Sequence, residues 1–154
     1  GNRQVLRWLV INDPVLVRRV AELTIDWMKS VKDSNPALYH EAKLELFINH
    51  WNAGRDQISR GAPCIIQAYA SKDERTAPPA AFLAIANIQL AATALGLGSS
   101  WSEGIGYASR AHAPLLEIFN MPEGEIPYAT FLLGYPTEFY HRIPMKKPID
   151  VTWR

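Results

Sequence analysis

The chain is nearly without cysteine. One thiol, Cys64, in 154 residues excludes a disulfide within the chain, an iron–sulfur cluster and a cysteine-based zinc site, and suits a reducing, cytoplasmic compartment. Net charge is lacking as well: 16 Lys+Arg against 15 Asp+Glu leave +1, with the two signs interspersed, so no footprint for nucleic acid is present. The N-terminus has neither the basic region nor the apolar run of a signal peptide. Histidine is scarce. His40, His50, His112 and His141 show no i, i+4 pairing, and His40-Glu41 lacks the second histidine of a zinc-protease helix, so no metal site is expected. No Gly-x-Ser-x-Gly occurs, which removes the nucleophile elbow. Gly96-Leu97-Gly98 is no dinucleotide fingerprint, because Trp101 stands where the third glycine belongs and the loop follows a helix instead of a strand.

What is present is an ordinary globular composition, 48% apolar and 20% charged, enough for one domain over 1–154 with its own core. Val5 to Ile11 reads as a strand. Asn12-Asp13-Pro14 opens a helix, with Asp13 as N-cap and Pro14 at its first position. Apolar Val17, Val20, Ala21, Ile25 and Met28 recur at helical spacing to about Lys29. A polar break at Lys32 to Pro36 precedes a second helical pattern from about Pro36 to Asn52, and Gly54 to Arg60 adds a further helical turn. Cys64 to Ala70 is a strand that buries the thiol. Pro79 to Leu95 is an apolar helix, ended by Gly96 as a left-handed C-cap. Gly98 to Trp101 is a short extended piece leading to Glu103-Gly104 in a Gly/Ser-rich turn. Ala111 to Phe119 is a helix, Ile126 to Leu133 the last strand, and the tail from Thr137 an extended, proline-bearing arm.

Strands alternate with helices, yet the link between the first two strands far exceeds a simple crossover, so the fold class is α+β. The stretch Ala80 to Gly98 is long enough to raise a membrane span, but it is Ala-rich, interrupted by Asn87 and Gln89 and not flanked by interfacial Lys or Arg. It is read as a core or interface helix, with one face in the domain and the other on a partner subunit. The end of that helix is the most informative stretch: Ala94 to Gly104 passes from an apolar helix into small residues and so offers backbone N–H groups beside an apolar wall, as a flat, polar-edged cofactor requires. The local basic excess from Arg142 to Lys147 suits one anionic group.

Several blocks resemble the FMN-dependent nitroreductase family. Gly1-Asn2-Arg3-Gln4-Val5-Leu6-Arg7-Trp8 resembles its Asn-x-Gln segment, and Gly61-Ala62-Pro63 before a strand resembles its next block. Ala94-Leu95-Gly96 with Glu103-Gly104 is similar to its flavin-edge loop, and Leu133-Gly134-Tyr135-Pro136 with a basic tail to its C-terminal block. The resemblance implies a mixed or antiparallel sheet flanked by helices, an extended C-terminal arm, and a homodimer holding FMN between subunits. It implies Asn2 and Gln4 at the isoalloxazine, the backbone of Glu103 and Gly104 at flavin N5, Ser102 among the cofactor-binding residues, and Arg142, Lys146 or Lys147 at the phosphate. It also implies ping-pong transfer from NAD(P)H or reduced ferredoxin to a nitroaromatic, quinone or similar acceptor, with the flavin rather than a side chain as the catalyst. The family's upstream Arg-Arg-Ser-x-Arg phosphate segment does not precede Asn2, and the chain opens at Gly1 without Met, so it is read as the downstream part of a longer protein. The alternative is a non-catalytic dimerisation or ligand-binding domain of the same fold that lost FMN through truncation.

Overall fold

Strand β1 (Arg7–Ile11) passes the chain to helix α1 (Pro14–Ser34) through Asp13. The Asp13 carboxylate accepts the N–H groups of Val15 and Leu16 at 2.7 and 3.3 Å, satisfying donors that the first turn leaves free, while Pro14 costs no hydrogen bond at that position. The computed structural model describes residues 3–138, 140–142 and 145–154. The elements that follow are α2 (Pro36–Glu41), α3 (Leu44–Asn52), β2 (Cys64–Ser71), α4 (Ala77–Ala94), β3 (Gly98–Trp101), α5 (Glu103–Ala111), α6 (Ala113–Phe119) and β4 (Glu125–Gly134).

The four strands form one sheet in the order β1-β2-β4-β3, antiparallel at every pairing. Alternation along the strands divides the apolar residues between two faces. Ile11, Ile65 and Leu132 stand abreast on one face and pack with α1, α5 and α6 through Val20, Ile25, Met28, Ile105 and Leu115. Each such fully buried side chain contributes about 1.5–3 kcal/mol relative to exposure. On the other face Ala68, Ala129 and Phe131 receive Ala81 and Ile85 of α4. The layers are therefore helices, sheet, and a single helix.

A buried polar tie fixes α5 against the sheet. The Gln67 side-chain amide donates to Ser109 Oγ at 3.0 Å and to Thr130 Oγ1 at 2.8 Å, all three residues being buried. Gly106 faces the same tie, where a Cβ would make an ordinary 3.5 Å contact with Thr130 Oγ1.

The structure departs from the sequence reading in several places. Helix α1 continues to Ser34, so the break shrinks to Asn35, which serves both as C-cap of α1 and as N-cap of α2. The single helix expected over 36–52 is two, because Lys43 turns left-handed at φ +51° between them. Gly54 to Arg60 is not helical: the Asp56 carboxylate instead accepts the N–H groups of Ile58 and Ser59 at 2.8 and 2.9 Å, and the Ser59 hydroxyl, a local loop arrangement that competes with helix. Helix α4 begins at Ala77, β1 begins at Arg7 rather than Val5, and Gly98–Trp101 is a true edge strand.

Cys64 lies on β2 but is only half-buried. Beyond Pro136 the described residues form neither helix nor strand and are exposed. The largest departure is α5. Glu103-Gly104 is not a turn but the first turn of a helix, and the helix expected from Ala111 begins at Ala113, after His112 breaks the path in extended conformation.

Candidate cofactor and active site

Helix α4 ends as its glycine requires. Gly96 sits at φ +74°, its N–H donates to Thr93 O at 3.1 Å, and Leu97 N–H donates to Ala92 O at 2.8 Å, the paired bonds of a Schellman cap. The chain then reverses into edge strand β3, whose Trp101 indole stacks on Phe82 of α4 at 5.4 Å and 19°. Ser102 N–H donates to Thr130 O at 3.0 Å, and Gly106 N–H closes the first intrahelical bond, on Ser102 O at 3.0 Å. Between these two bonds stand the N–H groups of Glu103, Gly104 and Ile105, which helix geometry leaves without an intrahelical partner. The Ser102 hydroxyl does not cap them.

These donors border a cavity of about 650 Å³, within the range of small-molecule and cofactor sites. Its walls are Trp27 and Met28 of α1, Leu38 of α2, Phe47 of α3, and Trp101 and Tyr107; Glu41, Gln57 and Arg60 supply the other polar groups. Ser102, Glu103 and Gly104 line the same space. A flat heterocycle fits such a place: apolar and aromatic walls on its faces, and unpaired N–H groups with a positive helix terminus toward an edge that gains negative charge. Gly104 has a second duty, because a Cβ there would lie 3.1 Å from Met28 Cε.

Of the remaining residues singled out from the sequence, Gln4, Arg142, Lys146 and Lys147 do not border this cavity in one copy of the chain. Asn2 lies outside the described residues. Gln4, exposed and at φ +46°, precedes β1, the sheet edge opposite β3. In that segment Arg3 forms an ion pair with Glu74 at 3.0 Å. Arg142, Lys146 and Lys147 are exposed in the tail.

The sequence reading missed the far wall. Residues of α2 and α3, together with Arg60, meet the Glu103 turn only because α1 carries them over the sheet face. The left-handed Arg60 (φ +55°) beside Gly61 (φ +72°) was invisible, since arginine carries no turn signal. Among the described residues no cluster of His, Cys, Asp or Glu could hold a metal ion.

Comparison with known proteins agrees with this architecture. A nitroreductase from Desulfitobacterium hafniense with bound FMN superposes with a TM-score of 0.72 at 22% identity, over 98% of this chain and 77% of that one. A Bacteroides fragilis nitroreductase with bound FMN gives 0.72 at 18% identity, over 96% and 73%. An FMN-dependent nitroreductase from Clostridium difficile gives 0.66 at 19%, over 97% and 80%. A search of curated protein sequences finds no match. The model of the nitroreductase family matches residues 1–135, and the chain belongs to that family.

Proposed function

We propose that this protein is an FMN-dependent oxidoreductase of the nitroreductase type, passing electrons from NAD(P)H or reduced ferredoxin to a nitroaromatic, quinone or similar acceptor. One observation carries the reading: the uncapped first turn of α5, at Ser102, Glu103 and Gly104, opens on an aromatic-walled cavity of about 650 Å³. FMN, when bound, supplies the hydride chemistry at N5. The chain's part is to orient and polarise. The N–H groups of Glu103 and Gly104 donate to the edge where negative charge gathers on reduction, and such fixed donors cost no reorganisation as that charge develops. Trp27, Phe47 and Trp101, which line the cavity, would exclude water from a bound cofactor.

The site is completed by a second copy. The outward face of α4 leaves Phe82, Leu83 and Leu90 exposed, an apolar surface of the kind that closes symmetric dimers. Gln4 and the tail cations Arg142, Lys146 and Lys147, which do not border the cavity in one copy, are assigned to the partner, together with Asn2. Charge-assisted contacts from the tail suit a phosphate dianion.

Incubation of the purified protein with FMN, followed by gel filtration, should give a yellow species with flavin absorbance bands. That species should oxidise NAD(P)H in stopped flow when a quinone or nitroarene is present. A protein that stays colourless after FMN incubation refutes the proposal. One that binds FMN but turns over with no donor, reduced ferredoxin included, would be the non-catalytic binding domain instead.

A further inference from the structure

One side chain holds both ends of the first turn of α5. Gln67 of β2 stands directly across from Thr130 of β4, on the sheet face that receives Ser109 of α5, and is 0% exposed. Its amide donates to Thr130 Oγ1 at 2.8 Å and to Ser109 Oγ at 3.0 Å. Both acceptors belong to the frame of the turn. Thr130 O takes the Ser102 N–H at 3.0 Å, just before the free donors, and the Ser109 hydroxyl donates to Ile105 O, just after them. The N–H groups of Glu103 and Gly104 thus lie between two anchor points that a single amide joins.

Stability alone does not select an amide at this place. A serine hydroxyl has one proton, and that of Ser109 goes to Ile105 O, so toward Gln67 it can only accept. This turns the amide nitrogen to the two hydroxyls and leaves Gln67 Oε1 buried with no hydrogen-bond partner among the described residues. An orphaned acceptor opposes folding, whereas an unbranched apolar side chain of similar length has no polar group to desolvate. Ile65, two positions earlier on the same face, does join the apolar core. What the amide adds is direction. Apolar contact, as at Ile105 and Ala108, is non-directional, while two donations from one nitrogen fix how α5 is turned about its axis.

We infer that Gln67 is a positioning residue for the N–H donors of Glu103 and Gly104, acting on them through Thr130 and Ser109. The inference rests on the proposed flavin site, since the cofactor edge is what those donors are aimed at. Fixed donors stabilise developing negative charge only while their direction holds. A well-aimed turn therefore binds reduced flavin more tightly than oxidised flavin, and a turn free to rotate loses part of that preference.

Two variants test this on the whole chain. Gln67→Met keeps the length and removes both donations. The triple variant Gln67→Met, Ser109→Ala, Thr130→Val removes every side-chain polar group of the tie, so its Tm should match or exceed the parent's. In the flavin-free chain the Ser102 N–H should exchange with deuterium about ten-fold faster in both variants, because the turn opens more often. In the FMN-loaded protein the preference for reduced over oxidised flavin should fall about ten-fold, which lowers the two-electron potential by about 30 mV, read by equilibration with a reference dye. A level Tm with a lowered potential separates aim from stability. A potential equal to the parent's overturns the inference whatever the exchange rate, and so does unfolding of both variants, since either makes the tie structural only. If the parent chain takes up no flavin, the proposed oxidoreductase fails by itself and the exchange measurement decides: faster exchange leaves Gln67 as the residue that holds the turn, and unchanged exchange removes it.

Discussion

At Glu103 and Gly104 the backbone and the side chain have separable roles. If the N–H groups of the first α5 turn hold the cofactor edge, Glu103→Ala should keep flavin affinity within about two-fold, because the donors remain and only a helix-terminus charge worth about 0.3–1 kcal/mol is removed. Gly104→Val should cost at least ten-fold. Its first carbon already meets Met28 Cε at 3.1 Å and lies 4.0 Å from Thr24 Cγ2, so a branched side chain pushes the turn off α1 and misaims its N–H groups. Gly104→Ala, opposed only by the flexible end of Met28, should fall between. Flavin quenching titrations on the three variants decide this; equal silence in Glu103→Ala and Gly104→Val means the cofactor edge lies elsewhere.

Two titrating groups give further residue-scale predictions. The Thr76 hydroxyl donates to Glu74 at 2.7 Å and the Thr76 N–H at 3.0 Å, and with Arg3 nearby these hold the Glu74 carboxyl below its usual value of 4.5. A carboxyl lowered on folding adds stability that is present above that value and lost as pH falls through the folded pKa. Thr76→Val should therefore move the Glu74 titration upward in an NMR pH series. An unmoved titration would assign the shift to the Thr76 N–H and Arg3. Burial raises the Cys64 thiol above 9.0, so at pH 7 its alkylation by iodoacetamide should be slower than that of a free cysteine and should accelerate as pH rises. Cys64 was legible as a strand residue, but its half-buried state was not. Gly104's closeness to Met28 was not, because that contact joins residues 76 positions apart (104 − 28).

Elements were legible where local chemistry and packing agree. Asp13-Pro14 announced α1 by cap and proline together, and Asp13→Ala should cost about 1 kcal/mol in urea unfolding by removing an acceptor from two N–H groups. Gly96 announced the end of α4. A Cβ there meets nothing within 4 Å, so Gly96→Ala should destabilise by about 1 kcal/mol purely through the left-handed φ. A loss well beyond that would reveal packing the geometry does not contain. The helix α5 was illegible for the opposite reason. Gly104, Gly106 and Ser109 are poor helix formers, yet Gly104 lets α5 approach Met28 of α1, and Ser109 receives Gln67. Tertiary contact overrides propensity there. The same holds for the break at Lys43, where the apolar period runs on through a backbone that turns left-handed.

At the scale of the whole molecule, an apolar helix lies half out of its own domain. Ala81 and Ile85 of α4 are fully buried on the sheet while Leu83 is 67% and Leu90 72% exposed. Composition alone would let this helix cross a membrane, and by that measure it is the one such helix among the described residues. Its inner face, however, is committed to Phe131 and Ala129, which leaves the outer face to the proposed second copy, the source also proposed for Gln4 and the tail. The double substitution Leu83→Glu and Leu90→Glu places two charges where water already has access, so the monomer fold should survive with an unchanged far-ultraviolet spectrum. Sedimentation equilibrium should show the parent chain at twice its 17.3 kDa and the variant at that mass. Flavin affinity should fall with the dimer, although neither residue borders the aromatic cavity. This coupling is the discriminating result. A monomeric variant that binds FMN as tightly as the parent would mean that one copy holds the whole cofactor site, and Gln4 and the tail cations would then have to be relieved of their proposed roles.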